Sequence, residues 1–145
     1  MAEPVVRVLP HSPKEFESAE ELANWVGREL KERGGQYRAP TMSRFSRIPP
    51  GSICLFMKDK RIVAEGVVKE AVRKYEGKET SPVTSKCYEG VITFEPSSLR
   101  RYVHPLELDF VQQLIGKRLI PRFGGKLTWD DYGKLLSEVV KAGFY

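Results

Sequence analysis

Histidine and cysteine are scarce: the 145 residues hold two of each. Cys54 and Cys87 lie 33 positions apart with no second ligand pair beside either, which excludes a zinc site of the Cys-x-x-Cys kind. They read as two buried free thiols, because free cysteine is among the most buried residue types and a reducing compartment disfavours a disulfide. His11 follows the first strand-like run and His104 precedes Pro105, so neither sits in a triad or metal-binding pattern. No metal or cofactor is expected. Gly124-Gly125-Lys126 is too short for a phosphate-cradling loop and reads as a turn. No apolar run approaches the roughly 18 residues needed to cross a bilayer, and no secretory signal opens the chain, so no membrane partner and a cytoplasmic location are expected. Internal repeats and low-complexity segments are absent too.

What the chain does have is charge, unevenly placed. Its net charge is +5, but residues 38–126 carry +8 while the N- and C-terminal flanks carry −2 and −1. A segregated positive field points to a polyanionic partner, RNA or DNA, and says nothing of fold or oligomeric state. Hydrophobic content of 41% and the length suit one globular domain over residues 1–145.

Local patterns fix an α+β class. Pro4–Leu9 is short, β-branched and bounded by prolines, which predicts a strand. Ser18-Ala19-Glu20-Glu21 fits a capping box, and Leu22, Trp25, Val26 and Leu30 make one apolar stripe, so a helix is expected over 19–32 with Trp25 in the core. Gly34-Gly35 closes it. Residues 36–50 read as a polar, irregular connection with three prolines. The runs after Gly51 and from Arg61 predict a hairpin turning at Lys58-Asp59-Lys60. Further strands are expected at 88–95 and 102–108, and residues 108–115 lean towards helix. Thr128 caps a last helix with an acidic first turn. Helix, strand block and helix together suggest a small curved or closed antiparallel sheet packed against helices.

The order of these motifs is similar to a known superfamily. The run S-R-I-P-P-G-S-I-C-L-F-M followed by K-R-I-V-A-E-G-V-V, and later F-V-Q-Q-L-I-G-K-R-L-I-P-R-F-G-G-K-L-T-W-D-D-Y-G-K-L-L, resembles PUA-like domains of the EVE, YTH and ASCH type over roughly residues 41–140. Ser52 stands where the resemblance leads one to expect an acidic residue, and the helix after Ser18 is longer than in EVE domains. The resemblance implies a pseudobarrel of about five to six mostly antiparallel strands with flanking helices. It also implies a pocket at one end that receives a modified base from RNA or DNA. Such a pocket needs flat walls, groups that read the base edge and cations for the flanking phosphates. For walls the candidates are Tyr37 and Phe45, aromatics with no core periodicity to explain them, and Tyr88 at the mouth of a strand; Ser43 is the candidate for the edge, with Thr41 beside it. For phosphates they are Arg44, Arg47, Lys86, Arg118 and Arg122, with Lys117 and Lys126 nearby in sequence. The alternative is a small ASCH-type hydrolase of modified nucleosides, for which Glu65, Thr84 and Lys86 would be the reacting set.

Overall fold

The computed structural model describes residues 3–12, 14–80, 87–119 and 125–145, with backbone alone for residues 76–80 and 87. Seven strands run β1 (Val6–Pro10), β2 (Gln36–Ala39), β3 (Ile53–Lys58), β4 (Arg61–Thr80), β5 (Cys87–Phe94), β6 (Arg100–Glu107) and β7 (Gly125–Leu127). The helices are α1 (Ala19–Asn24), continued by a wider π-helical stretch (Trp25–Leu30), α2 (Met42–Phe45), α3 (Leu108–Ile115) and α4 (Trp129–Ala142). Strand order is β2-β5-β4-β3-β1-β7, with β6 also paired to β4. All pairs are antiparallel except β1 with β3. The path is open at β2 and β7 among the described residues, so the chain is an α+β pseudobarrel rather than a closed one.

β3 explains why the sheet has two covered faces. Ile53-Cys54-Leu55-Phe56-Met57 is apolar at every position, as a strand buried on both sides must be. Cys54 and Phe56 point into a core shared with Leu22, Val26 and Leu30 of the first helix. Leu55 and Met57 point into a second core with Val111 and Ile115 of α3 and Leu135 and Val139 of α4. The β3–β4 hairpin turns on Asp59 and Lys60, whose φ angles of 52° and 60° give the two-residue mirror turn that matches strand twist.

Several local readings hold, and two need correction. The Ser18 hydroxyl accepts from Glu21 N–H at 3.1 Å, and Glu21 reaches back to Glu17 N–H at 3.0 Å. Thr128 and Asp131 form a complete capping box at α4. Ser52 is fully buried and accepts from Val5 N–H at 3.0 Å, so it ties the β3 entrance to the start of β1. The connection at 36–50 is not irregular throughout. Gln36–Ala39 pairs with β5 as an edge strand with Tyr37 and Ala39 turned inward, and Met42–Phe45 makes one helical turn. β4 runs on to Thr80, well beyond the apolar run that predicts it, and its outer part pairs with β5 at Glu70, Arg73, Lys74, Glu79 and Thr80 through three register shifts. Cys54 is a buried free thiol; the Cys87 side chain lies outside the described residues.

Candidate functional site

A ring-lined cavity of about 320 Å³ lies between the loop after β1, the first helix and the β2–β5 edge. His11, Phe16, Trp25, Tyr37 and Tyr88 supply the aromatic surface. Each arrives from a different element. The β1–β3 pairing carries on to His11, whose N–H donates to the Met57 carbonyl at 2.9 Å. Phe16 precedes the α1 cap, and Trp25 lies at the edge of the stripe whose buried members are Leu22, Val26 and Leu30. Trp25 is therefore half-buried wall rather than core, packing edge-on against Phe16 at 5.4 Å and Tyr37 at 6.2 Å between ring centroids.

Tyr37 is the centre of the wall. Burial first, and then the neighbouring Glu15 charge, push its hydroxyl well above the ordinary tyrosine range, with Arg44 opposing. It therefore stays protonated and donates to His11 Nε2 at 2.7 Å. A proton on His11 Nδ1, 3.3 Å from the Met57 carbonyl, is the arrangement that satisfies both contacts. The pair fixes two ring planes nearly at right angles, 89° apart. Phe45 is buried behind Tyr37, centroids 6.0 Å apart, and backs the wall without lining the cavity. Tyr88 lines it, with the Arg38 guanidinium 5.9 Å from its ring centre. The rim mixes Glu15, Glu21 and Glu29 with Arg33 and Arg38. Such a set offers acceptors for amino or imino hydrogens on a flat ligand and cations for anything anionic attached to it.

The predicted cations fall into three groups. Arg44 and Arg47 share a neighbourhood with Arg7, whose guanidinium pKa is lowered by burial first and then by those two charges, Cys54 opposing. Arg7 is on the same side of β1 as Leu9, so this cluster lies on the first-helix side of the sheet; Lys126 is its cross-strand partner on β7. Sequence reading passed over Arg7, although one charge inside V-V-R-V-L was the available signal. Arg118 is exposed after α3, next to Lys117, which pairs with Asp131 on the second-core side. Lys86 and Arg122 lie outside the described residues. Ser43 is exposed on α2, and its carbonyl accepts from the Ser46 hydroxyl at 3.1 Å; Thr41 is exposed as well.

Glu65 sits elsewhere. It is buried on β4, where it accepts from Tyr132 Oη at 2.7 Å, Tyr102 Oη at 2.9 Å and Arg100 at 3.2 Å. With these three partners it is a structural carboxylate joining β4, β6 and α4, and it does not line the ring-lined cavity. Thr84 and Lys86, its partners in the hydrolase reading, lie outside the described residues. Among the described residues no cluster of three metal-ligating side chains occurs, and no helix is long and apolar enough to cross a membrane.

The arrangement of sheet and helices has solved counterparts. The Mmi1 YTH domain, determined in complex with RNA, superposes with a TM-score of 0.59 at 9% identity, over 97% of this chain and 80% of that one. The fold is YTH-like. A hypothetical protein from Leishmania major follows at TM-score 0.57 and 12% identity, covering 96% of both chains. Rpa0253 from Rhodopseudomonas palustris gives 0.51 at 10% identity, covering 96% of this chain and 92% of its own. No protein-family model and no curated protein sequence matches. At these identities the YTH-like likeness concerns the path of the backbone, and the residues of the cavity stand on their own geometry.

Proposed function

We propose that this YTH-like chain is an RNA-binding domain that takes a single base, modified rather than plain, into the ring-lined cavity. The observation that carries this is the convergence of five aromatic side chains on a space of about 320 Å³, the lower end of the roughly 300–1,000 Å³ typical of ligand pockets and suited to one flat heterocycle. A base lifted out of a strand costs a few kcal/mol of stacking, and contact with aromatic walls returns roughly 1–3 kcal/mol per base. Phosphate contacts must supply the rest. Arg33 and Arg38 on the rim, with Arg44 near Tyr37, are the cations that would do so. The Mmi1 domain of similar fold was solved with RNA, which supports RNA before DNA as the ligand. Glu15 and Glu29 would accept from the exocyclic or ring N–H groups that distinguish one base edge from another.

Fluorescence polarisation with single-stranded RNA carrying plain or modified bases tests this reading. Binding is expected to tighten for one class of modified base and to weaken steeply with salt. Tyr88→Ala should cost about 1–3 kcal/mol in affinity for that ligand. Absence of binding to RNA and DNA at low salt, or affinity indifferent to the cavity variants, would overturn it.

A further inference from the structure

A second cavity, of about 340 Å³, opens on the neighbouring face of the same helix. Arg28 and Lys31 line it from the helix, Arg100 and Arg101 from β6, with Asn24 and Tyr145 at its sides. Three cationic side chains, Arg28, Lys31 and Arg101, meet there and no Asp or Glu side chain lines it, in contrast to the mixed rim of the ring-lined cavity. Among the described residues, Arg28, Lys31 and Arg101 have no acid within ion-pair reach.

Both β6 guanidinium groups are held in place. The C-terminal segment pairs with β6: Val103 N–H donates to Gly143 O and Tyr145 N–H donates to Arg101 O, both at 3.1 Å. This lays Phe144 and Tyr145 under successive arginines, each guanidinium carbon 3.7 Å from a ring centre. Arg100 lies on the second-core face of β6, bonded to Glu65, and Arg101 on the first-helix face that the cavity occupies. The stem of Arg101 lies over Gly27, where an added Cβ would be 3.5 Å from its Cδ, and its buried Nε has no hydrogen-bond partner. Planar donors clamped on rings keep a fixed fork, and a fixed fork matches the oxygens of a phosphate. Three like charges around one space repel one another until an anion enters.

We propose that the Arg28, Lys31 and Arg101 cavity is a phosphate-binding site. The phosphate belongs either to a nucleic-acid backbone or to a free phosphorylated molecule. A groove that shares Trp25 and Glu29 with the first cavity and Asn24 and Arg28 with the second lies between them, and Glu20, Glu21 and Glu29 line it, so a strand spanning both would have to keep its phosphates clear of three carboxylates. Only that choice of source depends on the RNA reading; the phosphate site does not.

The test has two arms, run on wild type and on Arg28→Glu/Lys31→Glu, both exposed positions whose change leaves the cores intact. In the first, inorganic pyrophosphate is titrated at low salt and amide shifts are followed by NMR. Saturable shifts are expected at residues 24–31 and 100–101 and not at Tyr37 or Tyr88, with affinity about tenfold or more weaker in the double variant. No saturable shift, or equal affinity in the double variant, overturns the proposal. In the second, single-stranded RNA is titrated across salt concentrations. A log–log salt slope shallower by roughly 0.7 per lost contact in the double variant identifies the phosphate as the RNA backbone. An unchanged slope with pyrophosphate binding lost identifies a free phosphorylated molecule. Pyrophosphate binding without any RNA binding in wild type supports this site while removing the RNA reading.

Discussion

Alanine substitutions at Gly34 and Gly35 should differ sharply, although the two glycines are adjacent and share nearly the same backbone. Their φ angles are +72° and +78°, so each alanine carries the left-handed penalty of about 1–2 kcal/mol. Around Gly34 nothing lies within 4 Å of an added Cβ, and the cost ends there. At Gly35 the Cβ would be 2.0 Å from the Phe94 carbonyl oxygen and 2.8 Å from its carbon, which are backbone atoms of the central β5 strand. The chain must retreat there. It then loosens Phe94 N–H to Gly35 O at 2.7 Å and Gly35 N–H to Leu30 O at 2.9 Å, each worth about 1 kcal/mol net. Gly35→Ala is therefore expected to cost about 3–4 kcal/mol against about 1–2 for Gly34→Ala. With a urea slope of about 2 kcal/mol/M, the midpoints fall by about 1.5–2 M and 0.5–1 M respectively. Circular dichroism through a urea series measures both. Tyr37 is two residues on, so Gly35→Ala should also disturb the cavity wall. Equal midpoint shifts for the two variants would refute the close approach of helix end and β5.

Three further outcomes follow from buried groups. Glu65→Gln leaves Tyr102, Tyr132 and Arg100 with a weaker, uncharged partner, and should destabilise by about 2–3 kcal/mol, below the full cost of breaking a buried pair because Arg100 is 40% exposed; urea unfolding reads it. Burial pushes the Cys54 thiol up to about 12 despite nearby Arg7, so in a Cys87→Ser background alkylation at pH 8 should proceed only through unfolding, and fast labelling of the folded chain would contradict this. Burial would raise the Asp131 carboxyl, but Lys117 and the Thr128 amide and hydroxyl together hold it below the ordinary range. Its contribution is then complete above the ordinary carboxylate pKa of about 4 and lost as pH falls further, so wild type should exceed Asp131→Asn in stability at pH 6 and converge with it at low pH.

Elements with a capping residue, a helical stripe or an unbroken apolar run announced themselves in the sequence, and those without one did not. The caps at Ser18 and Thr128 and the stripes behind them are local chemistry, and the uniformly apolar β3 could only be a strand covered on both sides. The four residues of β2 and three of β7 are too few to show a period; both exist because β5 and β1 offer them an edge. The outer half of β4 is mostly charged, and Lys69, Glu70, Ala71, Arg73 and Lys74 are exposed, so its pairing leaves little hydrophobic trace. In the cavity, Tyr37 is visible in the sequence as an aromatic without core periodicity and Tyr88 as one at the mouth of a strand; Phe45, picked on the same ground as Tyr37, is buried behind it. Trp25 was masked by a perfectly good helical stripe, and His11 and Phe16 join the wall only through folding. The basic cavity was hidden in the same way, since Arg28 and Arg101 are 73 positions apart in the chain.

Trp25 offers the most direct view of whether a base enters the ring-lined cavity. The only other tryptophan, Trp129, is about half exposed on α4 and lies outside that cavity, so a Trp129→Phe variant reports Trp25 alone. Titrating it with single-stranded RNA bearing the preferred modified base should quench Trp25 emission saturably, at the same concentrations at which polarisation reports binding, and plain RNA should quench less. Tight RNA binding that leaves Trp25 emission unchanged would contradict the account.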